Sequence, residues 1–163
     1  MYRNAKIAFI LARARRKLAL ADLRKRMRPA IIAVPQLRSL NAKWSGETIS
    51  GMTIKSILYD RYAESIVFEI DTDREGVYAL LTTDLTPAKR EDGAGLQYNL
   101  SKAKAVVYND QNVPKRKVDL SPSGAESYKN VAEFGNEYLR SAMRKLRAAV
   151  QGLPREQEEG ANG

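Results

Sequence analysis

The chain has 163 residues and a formal net charge of +9, with 28 Lys and Arg against 19 Asp and Glu, no cysteine and no histidine. The missing cysteines exclude a disulfide framework and a thiolate metal site. The missing histidines remove the commonest general base, the commonest metal ligand and the usual partner of a serine or cysteine nucleophile.

The charge is unevenly spread. Residues 1–38 carry eleven Lys or Arg and one acid, Asp22, whereas the other 125 residues carry 17 basic and 18 acidic side chains. The whole excess therefore lies in the first quarter. An anionic partner is expected to meet it: nucleic acid, a membrane surface or an acidic protein face. No apolar run approaches the roughly 18–20 residues of a membrane span. The longest candidate, Ile7 to Ala12, runs straight into Arg13, Arg15 and Arg16. It is also too short for a secretory signal, so a protein not exported by that route is expected. An Arg-rich, acid-poor start fits a transit peptide too, but such peptides are rich in serine and the first serine here is Ser39.

In chain order, residues 3–28 read as a helix. Ile7, Leu11, Ala14, Leu18 and Ala21 recur at spacings of four and three, and no Gly or Pro interrupts before Pro29. Residues 1–35 are taken as a basic helical arm, residues 36–151 as an α+β domain and residues 152–163 as a polar, flexible tail. Gln36 to Ser50 reads as a linker that contains the single tryptophan, Trp44. Strands follow. Met52, Ile54 and Leu58 are expected to share one face. Ile66, Phe68 and Ile70 alternate with Ser65, Val67 and Glu69. Val77, Ala79 and Leu81 alternate with Tyr78, Leu80 and Thr82. The polar run Asp71 to Gly76 is a hairpin connection. Asp84 to Gly95 reads as a loop, Leu96–Leu100 and Ala103–Asn109 as one or two further strands, and Asp110 to Pro122 as a second loop. Ser123 and Glu126 have capping-box spacing and are expected to open a helix through Tyr128, Val131, Phe134, Tyr138, Ala142 and Leu146, stopped by Gly152 and Pro154. The order predicted is helix, about four antiparallel strands, helix, which is an α+β pattern.

Arg13, Arg15, Arg16, Lys17, Arg24, Lys25, Arg26 and Arg28 surround the first helix and are the leading candidates for contact with a partner or nucleic acid. Lys115, Arg116 and Lys117, in a short basic run, are further candidates. A similar run spans Pro87 to Arg90. Either run also suits an ordinary solvated surface. Glu69, Asp71, Asp73 and Glu75 have period two, and an acidic hairpin on one subunit would match the basic helix of the next, a head-to-tail contact that builds rings or filaments. Asp71, Asp73 and Gly76 also match the opening of a calcium loop, but its twelfth position would be Thr82 rather than a glutamate. Tyr59, Tyr62, Tyr78, Tyr98 and Tyr108 lie near strands, a placement that suits base stacking, and packing explains them as well. There is no phosphate-binding glycine loop. Glu64, Glu69 and Asp71 have no spacing that marks a metal nuclease. No catalytic, cofactor or metal residue is assigned, and a non-enzymatic protein is expected.

Val131-Ala-Glu-Phe-Gly135, followed by Tyr138-Leu-Arg-Ser-Ala-Met143 and a basic helix, resembles the end of some tailed-phage neck and minor tail proteins. Those proteins share the layout of basic N-terminal helix, small antiparallel sheet and closing helix. The proline-containing spacer usual after the glutamate-phenylalanine-glycine element is missing here. Trp44-Ser-Gly46 is the only counterpart of the usual stretch after the first helix. The resemblance implies a structural component of a viral particle, found in the virion or host cytoplasm, whose partners are copies of itself and other particle proteins. The alternative left open is a small nucleic-acid-binding protein that acts through the N-terminal helix.

Overall fold

The computed structural model describes residues 35–154 apart from 61, 90–92 and 94–95. The helix predicted over 3–28, and with it all eight of its candidate contact residues, lies outside the described residues. So does the tail beyond Pro154.

Where a linker was expected, Pro35–Trp44 forms a helix, α1. Leu37, Leu40 and Trp44 recur at helical spacing and are buried. Proline is tolerated in the first turn, where its missing N–H costs no helical bond. Ten residues are too few to hold a helix alone, so burial of this stripe decides the conformation. Asn41 then pins α1 to the sheet. Its Nδ2 donates to the Ile57 carbonyl (2.9 Å) and its Oδ1 accepts from the Ile57 amide (3.3 Å).

Nine strands follow among the described residues, rather than about four. They are β1 (Thr48–Ile49), β2 (Met52–Asp60), β3 (Ser65–Asp71), β4 (Tyr78–Thr83), β5 (Thr86–Lys89), β6 (Leu96–Leu100), β7 (Ala103–Tyr108), β8 (Pro114–Asp119) and β9 (Glu126–Tyr128). One sheet has the order β1-β2-β3-β4-β7-β8 and the other β5-β6-β9, and every pairing is antiparallel. Ser50 and Gly51, both at positive φ, form the two-residue turn between β1 and β2, the geometry that matches strand twist.

A register shift in β2 between Ile54 and Ser56 corrects the expected face. Met52, Ile54 and Ile57 point into the core, while Leu58, opposite Val67, points to the other side. An extra residue reverses the period-two alternation beyond it. The row Ile57, Phe68, Leu81, Ala105, Val118 crosses five strands on the inner face. On it pack α1 and the C-terminal helices, in one cluster that includes Trp44, Phe134, Leu139, Met143, Leu146 and Val150.

Two predicted loops contain strands. Thr86–Lys89 pairs with β6, and Pro114–Asp119 forms the outer strand β8. The polar sequence of β8 hid it, because a solvated edge strand needs no apolar alternation, and lysines there discourage pairing with another chain. Chain crossing from one sheet to the other is fixed by Asp84. Its carboxylate accepts from the amides of Ser101 and Lys102 (2.9 Å each) and from the Ser101 hydroxyl.

The closing helix begins later than Ser123 and Glu126 suggest. Glu126–Tyr128 is strand β9, paired with β6 through Tyr98 opposite Tyr128. Asn130 is the cap instead: its Oδ1 accepts from the Glu133 amide (2.8 Å), and Glu133 reaches back to the Lys129 amide. The run continues as α2 (Val131–Glu133), a π-helical turn (Phe134–Leu139) and α3 (Arg140–Gln151). It ends before Gly152 and Pro154, as the sequence predicts.

Candidate functional site

The residues of Glu133-Phe134-Gly135 each have a packing role. Glu133 completes the helix cap. Phe134 is fully buried, with its ring 6.1 Å from Phe68 and 5.5 Å from Tyr128. Gly135 lies against the Trp44 ring so closely that a Cβ there would sit 1.7 Å from Cζ2. The indole Nε1 donates to the Val131 carbonyl at 2.7 Å. An α-helix would offer that carbonyl to the amide of residue 135. That carbonyl still accepts a backbone N–H where the helix passes into the π turn, so the indole shares it. Arg140 and Lys43 lie over the same ring, 5.9 and 5.6 Å from its centroid.

The acidic alternation is split between different environments. Glu69 lies within β3, is 0 % exposed, and receives the Ser56 hydroxyl at 2.8 Å with Lys55 at 3.7 Å. Asp71 ends the same strand, half-buried. Asp73 and Glu75 are in the exposed turn, where Asp73 pairs with Arg147 of α3 at 3.4 Å. Arg74, in the same turn, donates to the carbonyls of Val150 (3.0 Å), Leu153 (2.8 Å) and Pro154 (3.2 Å). The hairpin thus serves as a C-terminal cap for α3, a role that needs a cation where the helix carbonyls are unsatisfied. No periodicity signals that role.

Lys115, Arg116 and Lys117 lie on the exposed strand β8. Arg116 faces the helices and donates to the Ala149 carbonyl at 3.3 Å. Lys117 pairs across from Val106 and so belongs to the opposite, outer face of the sheet. Lys104 is on that same face, diagonal to it. The basic run beginning at Pro87 lies in β5, and its last residue, Arg90, is outside the described residues.

Of the strand tyrosines, Tyr78 and Tyr98 are buried, and Tyr78 stacks on Tyr108 with centroids 5.0 Å apart. Tyr59 is half-buried and Tyr62 is 75 % exposed. Tyr138 donates to the Leu120 carbonyl at 2.9 Å, and burial raises its pKa well above the tyrosine range. Burial, with Glu126 and Glu137 nearby, pushes Tyr128 up to about 12. Both stay neutral hydrogen-bonding groups across physiological pH. They border a cleft of about 290 Å³ with Ser121, Ser123, Glu137 and Lys145.

Among the described residues no three His, Cys, Asp or Glu side chains group so as to hold a metal ion. No described helix is long and apolar enough to cross a membrane. No family model, curated protein or solved structure matches the chain.

Proposed function

We propose that the protein is a non-enzymatic assembly component of a multi-subunit particle, of the kind that joins parts of a tailed-phage virion. Its basic first quarter is the contact element. The observation that carries this reading is the charge separation: eleven basic residues against one acid in residues 1–38, beside a remainder with 17 basic and 18 acidic side chains. A near-neutral body with a cationic arm suits docking on an acidic protein face while the body packs against its neighbours. The resemblance around Val131 to Met143 supplies the particle class. The acidic hairpin offers a neighbouring arm Glu75 in its exposed turn, while Asp73 pairs within its own chain.

The second reading is a nucleic-acid-binding protein. It is favoured by the placement of Lys104 and Lys117 diagonally on one sheet face, a spacing that suits a phosphate backbone.

Light scattering at about 50 and about 500 mM salt, with and without a duplex of about 30 base pairs, separates the two. An oligomer that is salt-sensitive and indifferent to DNA is the expected result. A monomer that takes up DNA at low salt and releases it at high salt overturns the assembly reading.

A further inference from the structure

The outer face of the six-stranded sheet, opposite the helices, carries an apolar patch in two adjacent rows. Leu58 and Val67 are paired in one, and Leu80 and Val106 in the other. Leu58 is 5 % exposed, Val67 6 % and Glu69, beside Leu80, 0 %. None of these three belongs to the core cluster that the helices form with the inner face. Side chains on a sheet face stand roughly perpendicular to it, with strands about 4.8 Å apart. Neighbours in the sheet screen their flanks but not their tips. Full burial of a glutamate there requires a covering layer, and among the described residues the helices lie on the other side. Glu69, Asp71 and Tyr78, all on this face, each engage a further partner besides those named above.

We propose that residues 1–34 fold back over this face of their own chain as an amphipathic helix. The stripe Ile7, Leu11, Ala14 and Leu18 would sit on Leu58, Val67, Leu80 and Val106, and the arginines would turn outward.

The chain outside the described residues supports this occupant. Residues 155–163 offer three glutamates and a single alanine as their only apolar side chain, and cannot cover an aliphatic patch. Residues 1–34 hold the apolar stripe in a segment whose 26-residue helical stretch would be about 39 Å long. Six strands span about 24 Å between the outermost two, so that helix crosses the whole sheet. The six residues from Pro29 to Val34 reach about 20 Å, enough to pass the sheet edge from α1. Ala14 and Ala21 are small enough to let a helix approach the sheet closely. The seating also presents the cations from a rigid surface rather than a loose arm. The inference holds whatever that basic surface binds.

The test is paramagnetic relaxation in the full chain. The protein has no cysteine, so Arg16→Cys takes a single spin label on the side that helical spacing places away from the stripe. The expected result is broadening of the amide signals of Val67, Leu80 and Val106, with those of Leu146 and Val150 less affected. In a sample that mixes spin-labelled chains without isotope and isotope-labelled chains without spin label, the broadening should be absent. Broadening in the mixed sample would show the segment seated on a second copy and overturn the proposal. So would the absence of selective broadening on the outer face.

Discussion

At the scale of single residues, Trp44 and Gly135 form a matched pair. A Cβ at residue 135 has no room beside the indole, so Gly135→Ala is expected to cost about 3 kcal/mol or more. Trp44→Ala should cost about 3–5 kcal/mol through the cavity it leaves. The double substitution should cost clearly less than the sum, because the cavity receives the new methyl group. Urea denaturation midpoints of the four proteins check this. Asp84 gives a pH prediction. Burial alone would raise its pKa, but the hydrogen bonds from Lys102 and Ser101 outweigh that and hold it below the ordinary value of 3.8. The carboxylate therefore stabilises the fold above that value, and the contribution is lost as pH falls through the lower folded-state pKa. Wild-type stability should drop as the pH falls below about 4, and Asp84→Asn should flatten that part of the curve.

At the scale of elements, the helix cap expected at Ser123 and Glu126 forms at Asn130 instead. Ser123 with Glu126 and Asn130 with Glu133 have the same spacing, and the structure uses the second. Asn130→Ala should cost about 1 kcal/mol, whereas Ser123→Ala, at an exposed loop position, should leave thermal stability nearly unchanged. The β3–β4 hairpin and α3 depend on each other through Arg74. Arg74→Ala removes three donated hydrogen bonds and should cost about 1–3 kcal/mol. Faster amide exchange confined to the last turn of α3 would identify the loss as that of a cap. The strand alternations of Ile66 to Ile70 and Ala79 to Leu81 were legible because each buries one face in a period of two. The run β8 was not, since an exposed edge carries no such signal. Helix α1 was overlooked because three buried residues in ten are a weak stripe until Phe134 and Gly135 supply the surface that Trp44 meets.

At the scale of the whole molecule, charge is the feature that function is expected to use. Replacing both Lys115 and Lys117 by Gln separates the two proposed readings. If the protein tracks phosphates there, the salt dependence of duplex binding should weaken by about two ion equivalents. If assembly is the function, the salt dependence of oligomer mass should not change. Binding titrations at several salt concentrations give the first number and light scattering the second. The candidate surfaces were only partly legible. The basic run at Lys115 was visible as composition, but Arg116 turns to cap a helix while Lys117 faces the other way, a difference set by strand register. The acidic alternation was visible too, yet Glu69 is buried, Asp73 is paired and Arg74, next to Asp73, has the structural role.

The sequence by itself determined the α+β class, the hairpin strands, the C-terminal helix with its stop at Gly152 and Pro154, and the concentration of positive charge in the first quarter. These are local properties, written in periodicity, turn residues and counts. Only the tertiary structure decided that Leu58 faces away from the core, that Glu126–Tyr128 is a strand, that the acidic hairpin caps its own helix, and that Gly135 must be glycine. Each depends on a residue distant in sequence: a bulge that reverses alternation, a strand partner in β6, the carbonyls of Val150 and Leu153, and the ring of Trp44. Such pairings arise when the chain closes on itself, and no window along the sequence contains them.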